Sequence, residues 1–396
     1  MKIVDIAEFY SPHGGGVRTY IDQKLAAAAA RGIDMTIIAP GPEDRVEPRE
    51  SGKIAWVKAP RLPVDKRYHQ FFRGRGVHAV LDAEQPDVIE ASSFWKGAWL
   101  AADWPGKALK SLVIHQDPVA VYPHTLFDRW LKPAQIDWLF GWFWAYTRRL
   151  SARFDTSITA GDWLATRLAA HGLARPTAIA FGIDRSAFSP ALRDQSLRCR
   201  MLSVCGITDP DAALLVAVSR HHPEKRLGTL IDGFARAAGV RPMGLYLIGE
   251  GPARRMIEAK AKAVANVHVA GPVRDRARLA RMLSSADAFL HAGAAETFGL
   301  VIAEALASGL PLILPDRGGA ADLAEPPYSE TYATGSARAC ADAILCLLAR
   351  DREALHRAAG AAAQTRLRTT DEHFTALFNH YEALLTRSAP SSAAAN

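Results

Sequence analysis

Short apolar runs alternate with helix-length segments along this chain, and the alternation begins twice. Residues 2–7 are an apolar run, Gly14-Gly15-Gly16 follows, residues 17–31 carry helical spacing, and residues 35–39 are apolar again. Further strand-like runs fall at 54–58, 87–90, 111–114, 157–159 and 177–183. The pattern restarts at 214–218 and continues through runs at 244–248, 267–269, 288–291 and 311–315, separated by helical segments. Strands that return to the same sheet through a helix run parallel, and a parallel sheet is covered by helices on both faces. A chain of 396 residues is too long for one ordinary core, so two α/β domains of βαβ units are expected. The domains are placed at 1–188 and 211–370. A charged linker, 189–210, carries Pro190 and Pro210 between them. A last helix is expected at 371–387, with a disordered small-residue tail at 388–396.

The composition, 49% hydrophobic and 22% charged, is that of a globular protein, and no apolar run reaches the roughly 18 residues of a spanning helix. Cys199, Cys205, Cys340 and Cys346 show no CxxC pairing, and no secretory leader pattern opens the sequence. A reducing, cytoplasmic setting is expected, with no disulfide framework. A net charge of +7 favours acidic partners: a nucleotide diphosphate, an anionic membrane or a nucleic acid. No zinc-finger spacing or aromatic RNA-binding signature is present, so nucleic acid is not expected. All nine tryptophans lie at or before Trp163. Two basic, aromatic stretches, 61–75 and 129–153, suit either an anionic membrane surface or, more simply, a solvated loop and a helix packed on the sheet.

One stretch concentrates chemistry. Glu296-Thr297-Phe298-Gly299-Leu300 runs into an apolar segment that ends on Glu304. If the whole stretch is helical, the two acids face the same way about 12 Å apart. That spacing suits holding two ends of one long polyhydroxylated ligand, with a phosphate at the helix N-terminus between them. Two acids on the wet face of an amphipathic helix fit the same spacing. Arg220 and Lys225 follow the strand at 214–218, where ligands bind in open parallel sheets, and together they suit a diphosphate. His115 holds the corresponding place after the strand at 111–114. Asp209-Pro210-Asp211 matches a loose metal-binding DxD pattern, but it precedes a strand and reads as a turn. His221-His222 lacks a third ligand, so no metal site is expected.

Taken in order, Gly14-Gly15-Gly16, His115, Arg220 with Lys225, Gly249-Glu250-Gly251-Pro252 and the stretch from Glu296 to Glu304 resemble the retaining glycosyltransferases of family 4. The resemblance spans nearly the whole chain and is more specific in its second half. It implies the GT-B fold: two Rossmann-like βαβ domains facing across a cleft, acceptor on the first and nucleotide sugar on the second, with a C-terminal helix crossing back to the first. It implies transfer of a hexose from a UDP- or GDP-linked donor to an acceptor hydroxyl, with retention and no required metal or other cofactor. By the same resemblance Arg220 and Lys225 hold the diphosphate, and Glu296 holds donor-sugar hydroxyls. The amides of Phe298, Gly299 and Leu300 support sugar and phosphate. Glu304 takes the ribose, Val273 lies by the base, Gly15 and Gly16 approach the phosphates, and His115 lies by the sugar. The basic aromatic stretches are similar to those of relatives that glycosylate membrane lipids, so a lipid or glycan acceptor and a peripheral place on the inner membrane face are implied. Two departures stand out: Ser219 where many relatives have glycine, and His291-Ala292-Gly293 where Pro-Ser is frequent. A GT-B-fold UDP-sugar 2-epimerase and a non-catalytic nucleotide-sugar-binding protein are the alternatives. The first lacks the expected extra acids; the second does not need the intact set of Arg220, Lys225, Glu296 and Glu304.

Overall fold

A computed structural model describes residues 1–12, 16–62 and 68–388. Gly14, Gly15, the middle of the 61–75 stretch and residues 389–396 of the expected tail lie outside the described residues. The chain forms two compact units, and neither is a continuous length of sequence. The first gathers 1–115, 137–180 and the chain from Thr370 onward; the second gathers Gln116–Ile136 and Phe181–Thr369.

The first unit contains eight strands: β1 (Lys2–Ile6), β2 (Asp34–Gly41), β3 (Arg45–Arg49), β4 (Gly52–Lys58), β5 (Val88–Ala91), β6 (Leu109–Ile114), β7 (Thr156–Thr159) and β8 (Thr177–Ala178). They lie in the order β3-β4-β2-β1-β5-β6-β7-β8. All pairs are parallel except β3 with β4. Strand β3, which the sequence pattern does not announce, is a charged edge strand containing Pro48, the kind of composition that protects an open edge from further pairing. The last helix, Thr370–Ser388, buries Phe374, Leu377, Phe378 and Tyr381 in the same core as Ile3, Ile37 and Leu25. Tyr381 donates to Glu90 Oε2 at 2.7 Å. Glu90 and Asp5 both pair with the fully buried Lys24, which satisfies a charge that would otherwise be expensive to bury.

The second unit contains β9 (Ala213–Val218), β10 (Met243–Ile248), β11 (Val267–Ala270), β12 (Ala288–Leu290), β13 (Leu312–Pro315) and β14 (Ser329–Tyr332), all parallel, in the order β11-β10-β9-β12-β13-β14. Strands such as Ala-Leu-Leu-Val-Ala-Val are apolar without alternation because helices cover both faces. The helix Leu227–Ala238 shows the matching pattern, burying Leu227, Leu230, Ile231, Phe234 and Ala237 on one stripe. The strand order is that of a doubly wound sheet. It reverses direction between β9 and β12, so the crevice for a ligand lies where the loops after those two strands part.

The stretch 189–210, read above as a charged linker, is structured. It holds a short helical turn, Pro190–Leu192, and the helix Gln195–Val204, capped by Asp194 at 3.0 Å from the Leu197 amide. The buried face of this helix sets Arg198 beside Met201 and Leu202. Arg198 is fully buried, donates to Asp287 Oδ2 at 2.7 Å and to the Pro210 and Ala212 carbonyls at 2.6 Å each. With an arginine at the first of three buried positions, the apolar period is too short to read from the sequence.

Candidate active site

The loops after β9 and β12 meet at the sheet's switch point. The first carries Arg220 and, on the turn Pro223–Lys225, Lys225; the second carries Glu296. Lys225 Nζ stands 2.6 Å from Glu296 Oε1. These residues line a cavity of about 600 Å³ with Arg220, Val273, Phe298, Gly299 and Leu300. Seven of the residues singled out from sequence are thus brought to one place within the second unit. Phe181 joins them, its ring edge-on to Phe298 at 5.8 Å between centroids. Sequence periodicity had no means of placing Phe181, which lies more than a hundred residues upstream.

Burial alone would raise the Glu296 carboxyl. His291, with Nε2 at 3.4 Å, and the Lys225 ammonium outweigh it and hold the pKa down to about 2. Glu296 is therefore an acceptor of hydrogen bonds at any working pH and has no proton to give. His291 occupies a position noted above only as a departure from the family pattern. It is buried, and Tyr332 donates to its carbonyl at 2.5 Å. A second carboxylate unmarked in the sequence, Glu224, is buried under the basic pair: Arg220 Nη2 lies 3.0 Å and Lys225 Nζ 3.6 Å from its Oε1. Arg220 keeps 73% of its side chain exposed, so its guanidinium is held at one corner and open to a ligand at the rest.

Glu296 and Glu304 do not share a helix. The helix begins at Leu300, and Gly299 precedes it at φ 85°, a left-handed conformation that side chains resist. This corrects the expectation of two acids on one helical face: the glycine turns the chain, and Glu296 belongs to the preceding loop. Glu304 is buried on the helix, 2.8 Å from Arg276 Nη2, and does not line the cavity. Burial pushes its carboxyl up and Arg276 opposes this. The Arg276 guanidinium also lies 4.9 Å over the Phe188 ring. The loop carrying Glu296 rests on Gly318-Gly319, where a Cβ at Gly319 would come within 2.3 Å of the Thr297 carbonyl oxygen. The Gly319 amide donates to the Glu296 carbonyl at 2.6 Å.

His115 and Gly16 belong to the first unit, and Gly15 lies outside the described residues. His115 is half-buried at the end of β6, edge-on to Tyr20 at 5.8 Å; burial lowers its pKa to about 4, so it is neutral at physiological pH. Gly16 opens the helix Gly16–Ala30, and an added Cβ there would meet none of the described atoms within 4 Å.

The stretch 129–153 divides between the two readings given to it. On the helix Gly141–Ser151, Phe143, Trp144 and Leu150 are buried as a packed helix requires. Trp130, Trp138 and Trp142 instead expose 63%, 79% and 67% of their surface. In the 61–75 stretch Phe71 is buried and Phe72 is exposed. No described helix is long and apolar enough to cross a membrane.

Comparison with known proteins agrees with this fold. The model of the family described as Glycosyl transferases group 1 matches residues 212–350, and that of Glycosyltransferase Family 4 matches residues 14–187. A GDP-mannose-dependent alpha-(1-6)-phosphatidylinositol dimannoside mannosyltransferase of Mycobacterium tuberculosis is 29% identical over 79% of both chains. A GDP-mannose-dependent alpha-mannosyltransferase of Mycolicibacterium smegmatis is 28% identical over 98% of both. Among solved structures, sucrose-phosphate synthase of Thermosynechococcus elongatus superposes with a TM-score of 0.77 at 20% identity, covering 98% of this chain and all of its own. Anabaena Alr3699/HepE, in complex with UDP and glucose, gives 0.69 at 17% identity, covering 98% and 99%. The fold is GT-B.

Proposed function

The chain belongs to glycosyltransferase family 4, and we propose that it transfers mannose from GDP-mannose, with retention of configuration, to a hydroxyl of a membrane glycolipid. The observation that carries the donor reading is the Lys225–Glu296 pair at the switch point of a doubly wound sheet, in one cavity with Arg220 and Val273. The diphosphate lies against Arg220 and Lys225, whose charge stabilises it as it leaves. Glu296, held ionised, accepts hydrogen bonds from sugar hydroxyls; the amides at Phe298, Gly299 and Leu300 face the sugar and phosphate. Glu304, beside Arg276 and outside the lining of the cavity, is given the ribose by the family resemblance alone, and Val273 packs by the base.

The acceptor oxygen attacks the anomeric carbon on the face the diphosphate leaves. The C–O bond to phosphate breaks, the new glycosidic bond forms, and the acceptor proton passes to the departing diphosphate. With its pKa at about 2, Glu296 serves to hold the donor, and the scheme asks for no protein base. Retention is supported by the alpha linkage in both relatives' names, since GDP-mannose carries its sugar as the α-anomer. Cationic side chains at the diphosphate support a reaction without metal. The relatives' names point to mannose, to GDP and, in one case, to an inositol phospholipid. The exposed Trp130, Trp138 and Trp142 are amphipathic side chains suited to a lipid interface.

Thermal melts with GDP-mannose, UDP-glucose and other nucleotide sugars test the donor, because a ligand that binds the folded state raises its melting temperature. GDP-mannose is expected to give the largest rise. Transfer to phosphatidylinositol mannosides in anionic vesicles tests the acceptor. A shift with UDP-sugars alone overturns the guanine assignment, and a protein that stays in the supernatant at low salt overturns the membrane assignment.

A further inference from the structure

The residue after Lys225 carries an unexplained strain. Arg226 sits at φ 48° and ψ 34°, a left-handed conformation that glycine or asparagine adopts far more readily than arginine. It closes the turn Pro223–Lys225, its amide donating to the Pro223 carbonyl at 3.0 Å. It also starts the helix Leu227–Ala238, its carbonyl accepting from Thr229 at 3.0 Å. Such a conformation persists only where the surroundings fix it. Here the surroundings act on the side chain. The Arg226 guanidinium is ion-paired with Asp128, and both are largely withdrawn from solvent, with 14% and 29% of their side chains exposed.

Asp128 is far away in sequence. It lies on Gln116–Ile136, which leaves the first unit after β6 and belongs to the second. Asp117 caps the start of this excursion, accepting from the Val119 and Ala120 amides at 2.9 and 3.0 Å. On either side of Asp128, Leu126 and Trp130 are exposed, and the Arg129 guanidinium covers the Trp130 ring at 3.7 Å.

We propose that Asp128 is a positioning residue for the donor diphosphate: through Arg226 it holds the strained turn that aims Lys225 Nζ at Glu296 and the phosphates. The inference rests on the reading of Lys225 as a diphosphate ligand. Asp128 is not among the residues that line the cavity. Its removal lets the turn relax toward a right-handed conformation at Arg226, which swings the adjacent Lys225 from the cavity. The excursion that presents Trp130 is thereby connected to the donor loop.

The test is GDP binding by calorimetry, without acceptor, alongside transfer kinetics and thermal melts; UDP replaces GDP if it is the nucleotide that binds. Asp128→Asn is expected to weaken nucleotide binding about tenfold and to raise the donor KM by a similar factor, with a smaller change in kcat. Asp128→Arg is expected to weaken it further, and the exchanged pair Asp128→Arg with Arg226→Asp to recover most of the affinity. A purely structural role for Asp128 lowers the melting temperature and leaves nucleotide affinity within twofold of wild type; that result overturns the proposal. Lys225→Ala separates the two readings. If it too binds GDP normally, the diphosphate assignment has failed; if it loses binding while Asp128→Asn does not, the positioning role alone has failed.

Discussion

Lys225→Ala removes the ammonium 2.6 Å from Glu296 Oε1 and has two separable effects. The first is on stability. The Glu296 carboxyl is held at about 2, against roughly 4.3 in an unfolded chain, and such a shift is worth about 3 kcal/mol. Lys225 shares that work with His291, so its loss costs about 2 kcal/mol at neutral pH. The sign follows from the direction of the shift. A depressed carboxyl pKa stabilises the native state above the unfolded pKa, and the contribution fades as pH falls toward the folded value. Without the lysine, His291 alone opposes burial, the Glu296 carboxyl rises from its depressed value, and protonation then relieves the variant. Chemical denaturation is therefore expected to show a gap between wild type and variant that is widest at pH 7 and narrows from pH 5 toward pH 3. The second effect is on transfer, where loss of one electrostatic stabiliser lowers kcat/KM on the order of 10²-fold or more. Nucleotide release followed in a coupled assay measures it. Turnover within threefold of wild type, or a stability gap that widens as the pH is lowered, refutes this account of the pair.

Three other outcomes are expected. Gly319→Ala drives a methyl group into the Thr297 carbonyl, where backbone must shift to make room; a loss of roughly 3 kcal/mol or failure to fold is expected in denaturant titration. Glu304→Gln leaves Arg276 beside a neutral amide and removes a charged acceptor for the ribose; a rise of about tenfold in donor KM with little change in kcat is the expected kinetic signature. Exhaustive treatment with EDTA is expected to leave transfer unchanged, and activity that disappears and returns with Mg²⁺ would show that a metal shares the diphosphate with Arg220 and Lys225.

The sequence made the alternating architecture legible because buried parallel strands are apolar without interruption, as in β9 and β13, and helices such as Leu227–Ala238 keep a clean stripe. It was less informative where polar contacts fix structure. The helix Gln195–Val204 is anchored by Arg198 on Asp287, and β3 is a charged edge. The site shows the same division. Arg220, Lys225 and Glu296 could be found because each follows a strand. Glu224, His291 and Arg276 act through partners 4 to 28 residues away in sequence, and no period links them. The helical spacing of Glu296 and Glu304 was misleading for a local reason: one left-handed glycine between them starts the helix after the first acid.

The broken assignment of sequence to units has a consequence for synthesis. A ribosome delivers the first unit's strands early, yet Phe374, Leu377, Phe378 and Tyr381, which complete its core, are made only after the whole of the second unit. Until then Lys24 and Glu90 wait in the interior of the nascent sheet without the Tyr381 hydroxyl, and the apolar face that receives the last helix stays open. The second unit, ending at Thr369, is able to close first. A chain cut before residue 370 therefore carries every residue of the second unit but a first unit without its last helix.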